Sequence, residues 1–460
     1  MPTIKKSSNK FESFFGRKPT GEAFAPGRIN LIGDHLDYNN CPVLPFAVDL
    51  RISAVFAPRE DNRICILDSL ARRGQRSFDA EAYIAPYETS DWGNYPKAAV
   101  QGIVADQIGG GRRFKGFDAV IESNLPSAGG LSSSSAFVVL TGMIFCVVNG
   151  FEYTSLEFSS LMAAAERYVG TQGGGMDQTA CINGKNGKVL KIDFNPLHCR
   201  SFSVPDGVSF VIADSLIKAQ KTEAAMALYN SKPIESRMAT AILNRRLPAV
   251  LKTACPPFSL GDLTAEKLGA TDNEIDRAVF SVLKEGGYTY EEAAAAAGMS
   301  VDELKHSCCL MSDKTPLPEP PNGFELFKRV RHVLTERRRV ERCAQALETG
   351  DVETVGRLMF ESHASGRDDG GFSCPESDSL TEIARAAGAL GSRQTGGGFG
   401  GFNVSLVRSG ETEAFKEKLM KDYYETYLSR MHPEISAEAK SSAVFTVIPS
   451  DGACVRQMSI

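Results

Sequence analysis

The sequence predicts a protein of mixed α and β structure with two lobes, and three observations lead to that fold class. The chain has 460 residues, which is more than one hydrophobic core usually serves. Its hydrophobic content of 42% and charged content of 23% are ordinary for a soluble globular protein. A candidate strand, Phe117–Ser123, runs through a glycine- and serine-rich turn into an apolar helical block, Ala136–Val148. These patterns place strands and helices in one chain without specifying their topology.

Two segments stand apart from the predicted lobes. Residues 1–10 are rich in Lys, Ser and Asn, so we expect a disordered tail. Residues 253–322 have the character of an insert, because Pro256-Pro257 and the proline-rich Thr315–Gly323 bracket them. The alanine-rich part of this insert predicts two short helices around Gly298. No basic recognition helix accompanies them, so we expect a helical decoration and not a DNA-binding helix-turn-helix.

The first dense polar block is Ala25–Asn39, which contains Asp34, His35 and Asp37 within four residues. Such polar density is unusual for a core segment. Sugar hydroxyls need hydrogen-bond donors and acceptors at fixed positions, so one interpretation is a pocket for a polyol. The other interpretation is a surface loop.

The turn before the apolar helix is a candidate anion site. Gly129 and Gly130 permit positive φ and close approach of the backbone. The four serines at 132–135 combine hydroxyls with the free N–H groups of a helix start, which favours phosphate binding. Ordinary N-capping is the alternative. The turn is not a Walker A loop, because no Lys follows the glycines.

A second glycine-rich turn, Gly173–Gly175, presents Asp177 after a helix-rich segment that carries Glu166. Asp177 is a candidate functional carboxylate and also a candidate helix N-cap, and both can hold at once. Glu166 is either part of the same site or solvated on its helix.

Three weaker features complete the candidates. Trp92 is the only Trp, so it is either a packing anchor or a residue for base stacking. Tyr229 and Asn230 precede a helical pattern, where an ordinary loop is nearly as good an interpretation. Thr395–Gly401 contains a formal Gly-x-Gly-x-x-Gly, but a strand and not a helix follows it, so a dinucleotide site is rejected.

Four of these segments resemble those of a known family, and together they extend over most of the chain. The turn Pro126–Ser134 resembles the ATP loop of the GHMP kinases. Ala25–Asn39 closely resembles the galactokinase signature Gly-Arg-x-Asn-Leu-Ile-Gly-Glu-His-x-Asp-Tyr and departs from it once, with Asp34 in place of the usual Glu. Glu166–Gln178 is similar to the matching segment of eukaryotic galactokinases and N-acetylgalactosamine kinases. Thr395–Gly401 resembles the third kinase motif.

The resemblance implies an α+β, two-lobed GHMP kinase fold, with lobes of residues 11–205 and 206–460 and the active site between them. It implies ATP and galactose as substrates and Mg²⁺ as cofactor. The implied roles are catalysis by Asp177 and Arg28; sugar contacts by Asp34, His35, Asp37, Gly174, Tyr229 and Asn230; ATP contacts by Trp92, Gly129, Gly130, Leu131, Ser132, Ser133, Ser134 and Ser135; and Mg²⁺ contacts by Ser134 and Glu166.

The leading functional prediction is an ATP-dependent galactokinase, which phosphorylates the anomeric hydroxyl of α-D-galactose. An N-acetylgalactosamine kinase is the alternative enzyme, because its motifs are almost the same. A non-catalytic sensor that binds galactose and ATP is the alternative from another class. Arg28, Asp177 and Ser135-Ala136 are all present, which favours catalysis.

Composition limits the partners. The net charge of −5 gives no indication of nucleic acid, and no apolar run reaches transmembrane length. The basic run Lys328–Arg342 predicts one solvated helix face, with a phosphate-binding patch as the alternative. Eleven Cys without a Cys-x-x-Cys spacing indicate reduced thiols, so we expect a cytoplasmic protein. A peroxisome-like organelle stays open, and we expect a monomer.

Overall fold

The computed structural model describes residues 2–69, 74–89, 91–107, 113–126, 130–170, 173–217, 223–252, 259–311 and 314–458. The strands are β1 (Gly21–Ile32), β2 (Leu44–Pro58), β3 (Arg63–Asp68), β4 (Gln75–Asp79), β5 (Phe117–Ser123), β6 (Lys188–Phe194), β7 (Leu197–Ser203), β8 (Val208–Asp214), β9 (Gly391–Gln394), β10 (Phe402–Arg408), β11 (Val444–Val447) and β12 (Cys454–Gln457). The helices are α1 (Pro2–Phe15), α2 (Asn94–Gln107), α3 (Ser133–Asn149), α4 (Ser155–Glu166), α5 (Met176–Asn183), α6 (Glu223–Leu251), α7 (Ala265–Leu268), α8 (Asp272–Val282), α9 (Tyr290–Ala297), α10 (Val301–Cys308), α11 (Leu326–Thr349), α12 (Val352–Ser365), α13 (Pro375–Ala387), α14 (Thr412–Leu419), α15 (Ser429–Met431) and α16 (Ala437–Ser441). No described helix combines the length and apolarity needed to cross a membrane.

Two sheets organise the chain. The first has the strand order β12-β1-β2-β5-β3-β4 and the second the order β11-β8-β10-β9, while β6 and β7 form a separate hairpin. Along β2, Ile52, Ala54 and Phe56 pack into the large core that contains α3, while Val55 and Ala57 pack into a smaller cluster on the other face. This alternation is the period of two expected of a strand that is buried on both faces.

The N-terminal tail differs from its prediction. Residues 2–10 are not disordered but form the first part of α1. Phe11 is fully buried against the first sheet, where it packs with Val120. The hydroxyl of Ser7 donates a hydrogen bond to Glu122 at 3.0 Å. Polar composition predicts disorder only where no apolar side chain can anchor the segment, and Phe11 supplies such an anchor.

The two short helices expected around Gly298 are α9 and α10, and Gly298 ends α9 in the left-handed conformation. Both helices pack against α6. Pro256-Pro257, one of the predicted boundaries of the insert, lies outside the described residues.

The end of the chain differs from the predicted lobe boundary. β8, which begins at Val208, belongs to the second sheet, close to the predicted start of the second lobe at residue 206. However, β12 returns to the first sheet and pairs antiparallel with β1, so Phe24 lies opposite Cys454. The first lobe therefore contains both ends of the described chain.

Candidate active site

A cavity of about 330 Å³ lies between the two lobes. Most of the predicted site residues line it: Arg28, Asp34, His35, Asp37, Gly130, Leu131, Ser132, Ser133, Ser134, Ser135, Glu166, Asp177 and Tyr229. Gly396 and Gly397 of the glycine-rich segment complete the wall from the second lobe. Gly174, Asn230 and Trp92 are not in the lining, and Gly129 lies outside the described residues.

Arg28 and Asp177 form an ion pair at the cavity wall. Arg28 lies in β1 where the pairing with β2 shifts register, and its side chain is 5% exposed. Its Nε and Nη2 lie 2.8 Å and 2.7 Å from Oδ1 of Asp177. Asp177 belongs to the first turn of α5, which begins after Gly175 at φ 109°. The glycine permits the left-handed turn that places Asp177 at the cavity.

The serine turn packs directly against the glycine-rich segment of the second lobe. Gly130 has φ 102°, and a Cβ there would lie 2.6 Å from the carbonyl oxygen of Thr395. A Cβ on Gly396 would in turn lie 3.0 Å from Cα of Gly130. The two glycines therefore allow the backbones to approach closely. The first residues of α3, which begins at Ser133, line the cavity.

Glu166 is a buried carboxylate beside the serines of α3. Its Oε2 accepts a hydrogen bond from Nε2 of Gln178, and the side chains of Ser135 and Ser134 favour its charged form. Burial raises the pKa of Glu166 to about 7, and the nearby charge of Asp177 adds to this. Among the residues that the structure describes, no group of three or more His, Cys, Asp or Glu could hold a metal ion.

Asp37 links the polar block to the glycine turn before Asp177. Its Oδ2 accepts a hydrogen bond from N–H of Gly174 at 2.9 Å. A Cβ on Gly174 would lie 2.2 Å from the carbonyl carbon of Asp37 and 2.3 Å from N of Tyr38, so only glycine fits. Burial raises the pKa of Asp37, and the neighbouring Asp177 carboxylate raises it further.

Asp34 reaches the cavity wall, but protein groups already hold its carboxylate. Asn30 Nδ2 donates to one oxygen and Arg393 Nη2 to the other, both at 2.6 Å. Asp34 is 1% exposed, and its burial raises the pKa despite the Arg393 charge. The main-chain oxygen of Asp34 accepts a hydrogen bond from His332 Nε2 at 3.1 Å.

His35 is also engaged by protein groups. It has φ 62°, Nδ1 lies 2.8 Å from the Tyr38 hydroxyl, and Nε2 lies 3.3 Å from the Gly397 oxygen. Since Nε2 faces a carbonyl, the ring donates there and accepts from Tyr38 at Nδ1. The ring stacks on Phe372 with a centroid distance of 4.2 Å. Burial holds the pKa of His35 well below its usual range, so the ring is neutral at pH 7.

The weaker candidates have different surroundings. Tyr229 lies at the cavity, 5.5 Å between ring centroids from His35. Asn230 is buried, and its Oδ1 has no hydrogen-bond partner within the described part of the chain. Trp92 stacks on Phe137 of α3 at 5.5 Å, beyond the cavity lining.

The sequence did not point to several residues that shape the site. Arg393 holds Asp34, Phe372 stacks on His35, and Gln178 holds Glu166. Gln178 is the last residue of Glu166–Gln178, and Arg393 lies two residues before Thr395–Gly401. Their closeness to these motifs could have identified both as site residues. Phe372 belongs to no recognisable pattern.

Comparison with known proteins agrees with this architecture. Three family models match the chain: the galactokinase galactose-binding signature over residues 9–58, the N-terminal domain of GHMP kinases over residues 94–185, and the C-terminal GHMP kinase domain over residues 343–426. The α+β fold and the cavity between two lobes, formed around the serine turn, therefore define a GHMP kinase.

Sequence and structure relatives identify the family within the GHMP kinases. The chain is 32% identical to a galactokinase from Dictyostelium discoideum, covering 96% of this chain and 91% of that protein. It is 33% identical to a galactokinase from Candida parapsilosis, covering 99% and 95%. The structure of Lactococcus lactis galactokinase in complex with galactose matches with a TM-score of 0.74 and 26% identity, over 98% of this chain and 99% of that one. The chain belongs to the galactokinase family.

Proposed function

We propose that the protein transfers the γ-phosphoryl group of ATP to the anomeric hydroxyl of α-D-galactose and releases galactose 1-phosphate and ADP. The observation that carries the proposal is the Arg28–Asp177 pair, which lies at one cavity wall beside the N-terminus of α3 and the polar block of Asp37. Relatives over nearly the whole chain are galactokinases, and the similar Lactococcus structure contains galactose.

Each group at the cavity has its own role in the proposed phosphoryl transfer. The N–H groups at the start of α3 hold the phosphates of ATP. Asp177 accepts the hydrogen bond of the anomeric hydroxyl and takes its proton as the new O–P bond forms and the bond to the β-phosphate oxygen breaks. Arg28, held on the same carboxylate, stabilises the negative charge of the transferred group. Trp92 is the proposed neighbour of the adenine.

The residues present fit the Mg²⁺ that the family implies. Glu166 and the hydroxyls beside it bring oxygen atoms together, and Mg²⁺ prefers oxygen ligands. The buried carboxylate would also gain a charge partner. Ser134 and Glu166 would hold the ion, which when bound would neutralise part of the phosphate charge.

The Mg²⁺ assignment is tested by calorimetric titration of ADP with and without Mg²⁺. We expect the variant with Ser134→Ala and Glu166→Ala to lose most of the Mg²⁺ dependence of ADP binding that the wild type shows. The Mg²⁺-free titration is the control, because the variant and the wild type should agree there. An unchanged Mg²⁺ dependence contradicts the assignment.

The experiment that tests the proposed function is an assay of ADP release with galactose, N-acetylgalactosamine, galactosamine and glucose. We expect galactose to have the highest kcat/KM. Glucose, with an inverted 4-hydroxyl, should fail because it leaves a pocket group unpaired, at a cost of about 1–3 kcal/mol. A preference for N-acetylgalactosamine contradicts the proposed substrate, and binding of galactose and ATP without turnover indicates a sensor.

Asp177→Ala assigns the activity to this cavity. We expect it to abolish transfer and to leave ATP binding largely intact, because Asp177 faces the acceptor and not the nucleotide. Turnover within about tenfold of wild type, a barrier change of only about 1.4 kcal/mol, would remove Asp177 from the mechanism.

A further inference from the structure

We propose that Ser132 is a positioning residue for Asp177, and that its hydroxyl is not a ligand of the nucleotide. This inference rests on the proposed phosphoryl transfer and adds a role within it. It changes the role expected from the resemblance, which counts Ser132 among the ATP contacts.

The hydroxyl of Ser132 donates a hydrogen bond to Oδ2 of Asp177. Arg28 occupies the other oxygen, Oδ1, with both Nε and Nη2. Arg28 also donates through Nη1 to the carbonyl oxygen of Gly130, two residues before Ser132. The serine turn, Arg28 and Asp177 therefore close a ring of hydrogen bonds, in which Ser132 is the only hydroxyl.

The backbone of Ser132 explains why its hydroxyl points to Asp177. Ser132 occupies the N-cap position of α3, but it has φ 53° and ψ 45°, which is the left-handed region, and its side chain makes no capping bond to the helix. A serine N-cap normally has extended dihedrals and bonds to N–H groups of the first turn. The left-handed conformation is unfavourable for a residue other than glycine, so this serine keeps a strained backbone while its hydroxyl serves another group.

The serines that follow remain available for phosphate. Ser133, Ser134 and Ser135 form the first turn of α3 and line the cavity, and the first N–H groups of a helix have no partner within it. Holding the Asp177 carboxylate in one orientation matters because proton transfer needs the acceptor within hydrogen-bond reach of the sugar hydroxyl. Ser132 thus ties the nucleotide turn to the group that receives the proton.

The test compares Ser132→Ala, Ser132→Gly and Ser133→Ala with the wild type, measuring kcat, KM for both substrates and ADP affinity by calorimetry. We expect Ser132→Ala to lower kcat about ten- to hundredfold, the range for losing a hydrogen bond to a charged group, and to change ADP affinity less than about threefold. Ser132→Gly should lose the same factor in kcat although glycine suits φ 53°, because the hydroxyl is absent in both. Ser133→Ala should weaken ADP binding more than Ser132→Ala does.

Non-additivity provides the decisive measurement. In an Asp177→Asn background, Ser132→Ala should cause no further loss of the small residual rate measured in single-turnover experiments, because it acts through the carboxylate. A parallel loss of ADP affinity in both Ser132 variants, or additive losses with Asp177→Asn, overturns the inference. If the wild type prefers another sugar, the proposed substrate fails but this test stands, since kcat is then measured on that sugar.

Discussion

At the scale of single residues, the site depends on a buried ion pair between Asp34 and Arg393. Their side chains are 1% and 2% exposed, and Arg393 also donates to the carbonyl oxygen of Asn30. Removing one partner of such a pair leaves the other charge buried without compensation.

We expect Asp34→Ala to lower the free energy of unfolding by about 3–5 kcal/mol, the usual cost of breaking a buried pair. Urea denaturation measures this. Glu353→Ala is the matched control, because the Arg408–Glu353 pair has side chains that are 54% and 63% exposed and should contribute little. Similar losses in the two variants would show that the buried pair has no special role.

The sequence predicted most residues of the cavity because they occur in contiguous segments. A segment such as Ala25–Asn39 carries its own turn glycines and polar groups, so its chemistry can be recognised before its neighbours are known. The roles of Asp34 and His35 could not be predicted, because their partners Arg393 and Phe372 lie more than three hundred residues away in the chain. Whether a polar side chain is free for a ligand depends on such long-range contacts.

At the scale of elements, the glycine turn before α5 joins the sugar block to Asp177. We expect Gly174→Ala to raise KM for the sugar and to lower the melting temperature, because its Cβ would overlap the backbone between Asp37 and Tyr38. Gly173→Ala is the matched control for stability, since a Cβ there meets nothing within 4 Å. Melting curves and sugar kinetics measure the two effects, and equal melting temperatures for the variants would contradict the close approach.

Helix α11 shows where an element-scale prediction was wrong. Its basic run does not form one solvated face, because Arg329, His332, Glu336 and Arg337 are buried. The exposed Arg331 pairs with Asp369, and the half-buried Arg338 pairs with Asp276 of α8. A run of charges predicts a solvated face because burying a charge is costly, and the compensating partners are visible only in the folded structure.

His332 of α11 makes stability depend on pH. It is buried between Ser365 and the main chain of Asp34, and burial lowers its pKa to about 4, with the charges of Arg339 and Arg329 adding to the shift and Glu336 opposing it. An unfolded His has a pKa of about 6.5, so the unfolded state binds the proton more tightly. The contribution of neutral His332 to the free energy of unfolding is therefore complete above pH 6.5 and is lost as pH falls towards 4.

We expect His332→Gln to remove most of this loss, which amounts to about 2 kcal/mol between pH 7 and pH 4.5 for a pKa lowered from about 6.5 to about 4. Glu166 acts in the opposite direction, because its pKa is raised to about 7 and its protonation stabilises the fold as pH falls. The measurement is therefore the difference between variant and wild type in urea unfolding at pH 7 and pH 4.5. A difference that does not change between these pH values would contradict the role of His332.

At the scale of the whole molecule, the polar block of the first lobe contacts the second lobe at several points. N–H of Gly33 donates to Glu336 at 2.9 Å, and N–H of Asn30 donates to the hydroxyl of Thr395 at 3.0 Å. Asp34 adds the ion pair with Arg393. The same short segment thus lines the cavity and holds the lobes together.

The C-terminal segment returns from the second lobe and packs against the first lobe, which no sequence pattern predicted. N–H of Ala453 donates to the Cys181 oxygen at 2.8 Å, and N–H of Met458 donates to the Thr20 oxygen at 2.9 Å. The segment therefore runs along the end of α5, the helix that carries Asp177, before β12 covers the edge of β1. An uncovered edge strand exposes unpaired backbone groups and promotes association.

We expect a chain that ends at Ser450 to melt several degrees lower, to associate and to have reduced kcat, because both β1 and α5 lose backbone partners. Gly452→Ala tests the contact with α5 without truncation, since its Cβ would lie 2.2 Å from the carbonyl oxygen of Ile182. Gly410→Ala, where a Cβ meets nothing within 4 Å, is the matched control in the second lobe. If the truncated chain keeps its melting temperature and kcat, the C-terminal strand is dispensable and the first lobe is complete without it. If Gly452→Ala lowers kcat and Gly410→Ala does not, the contact of the C-terminal segment with α5 helps to position Asp177.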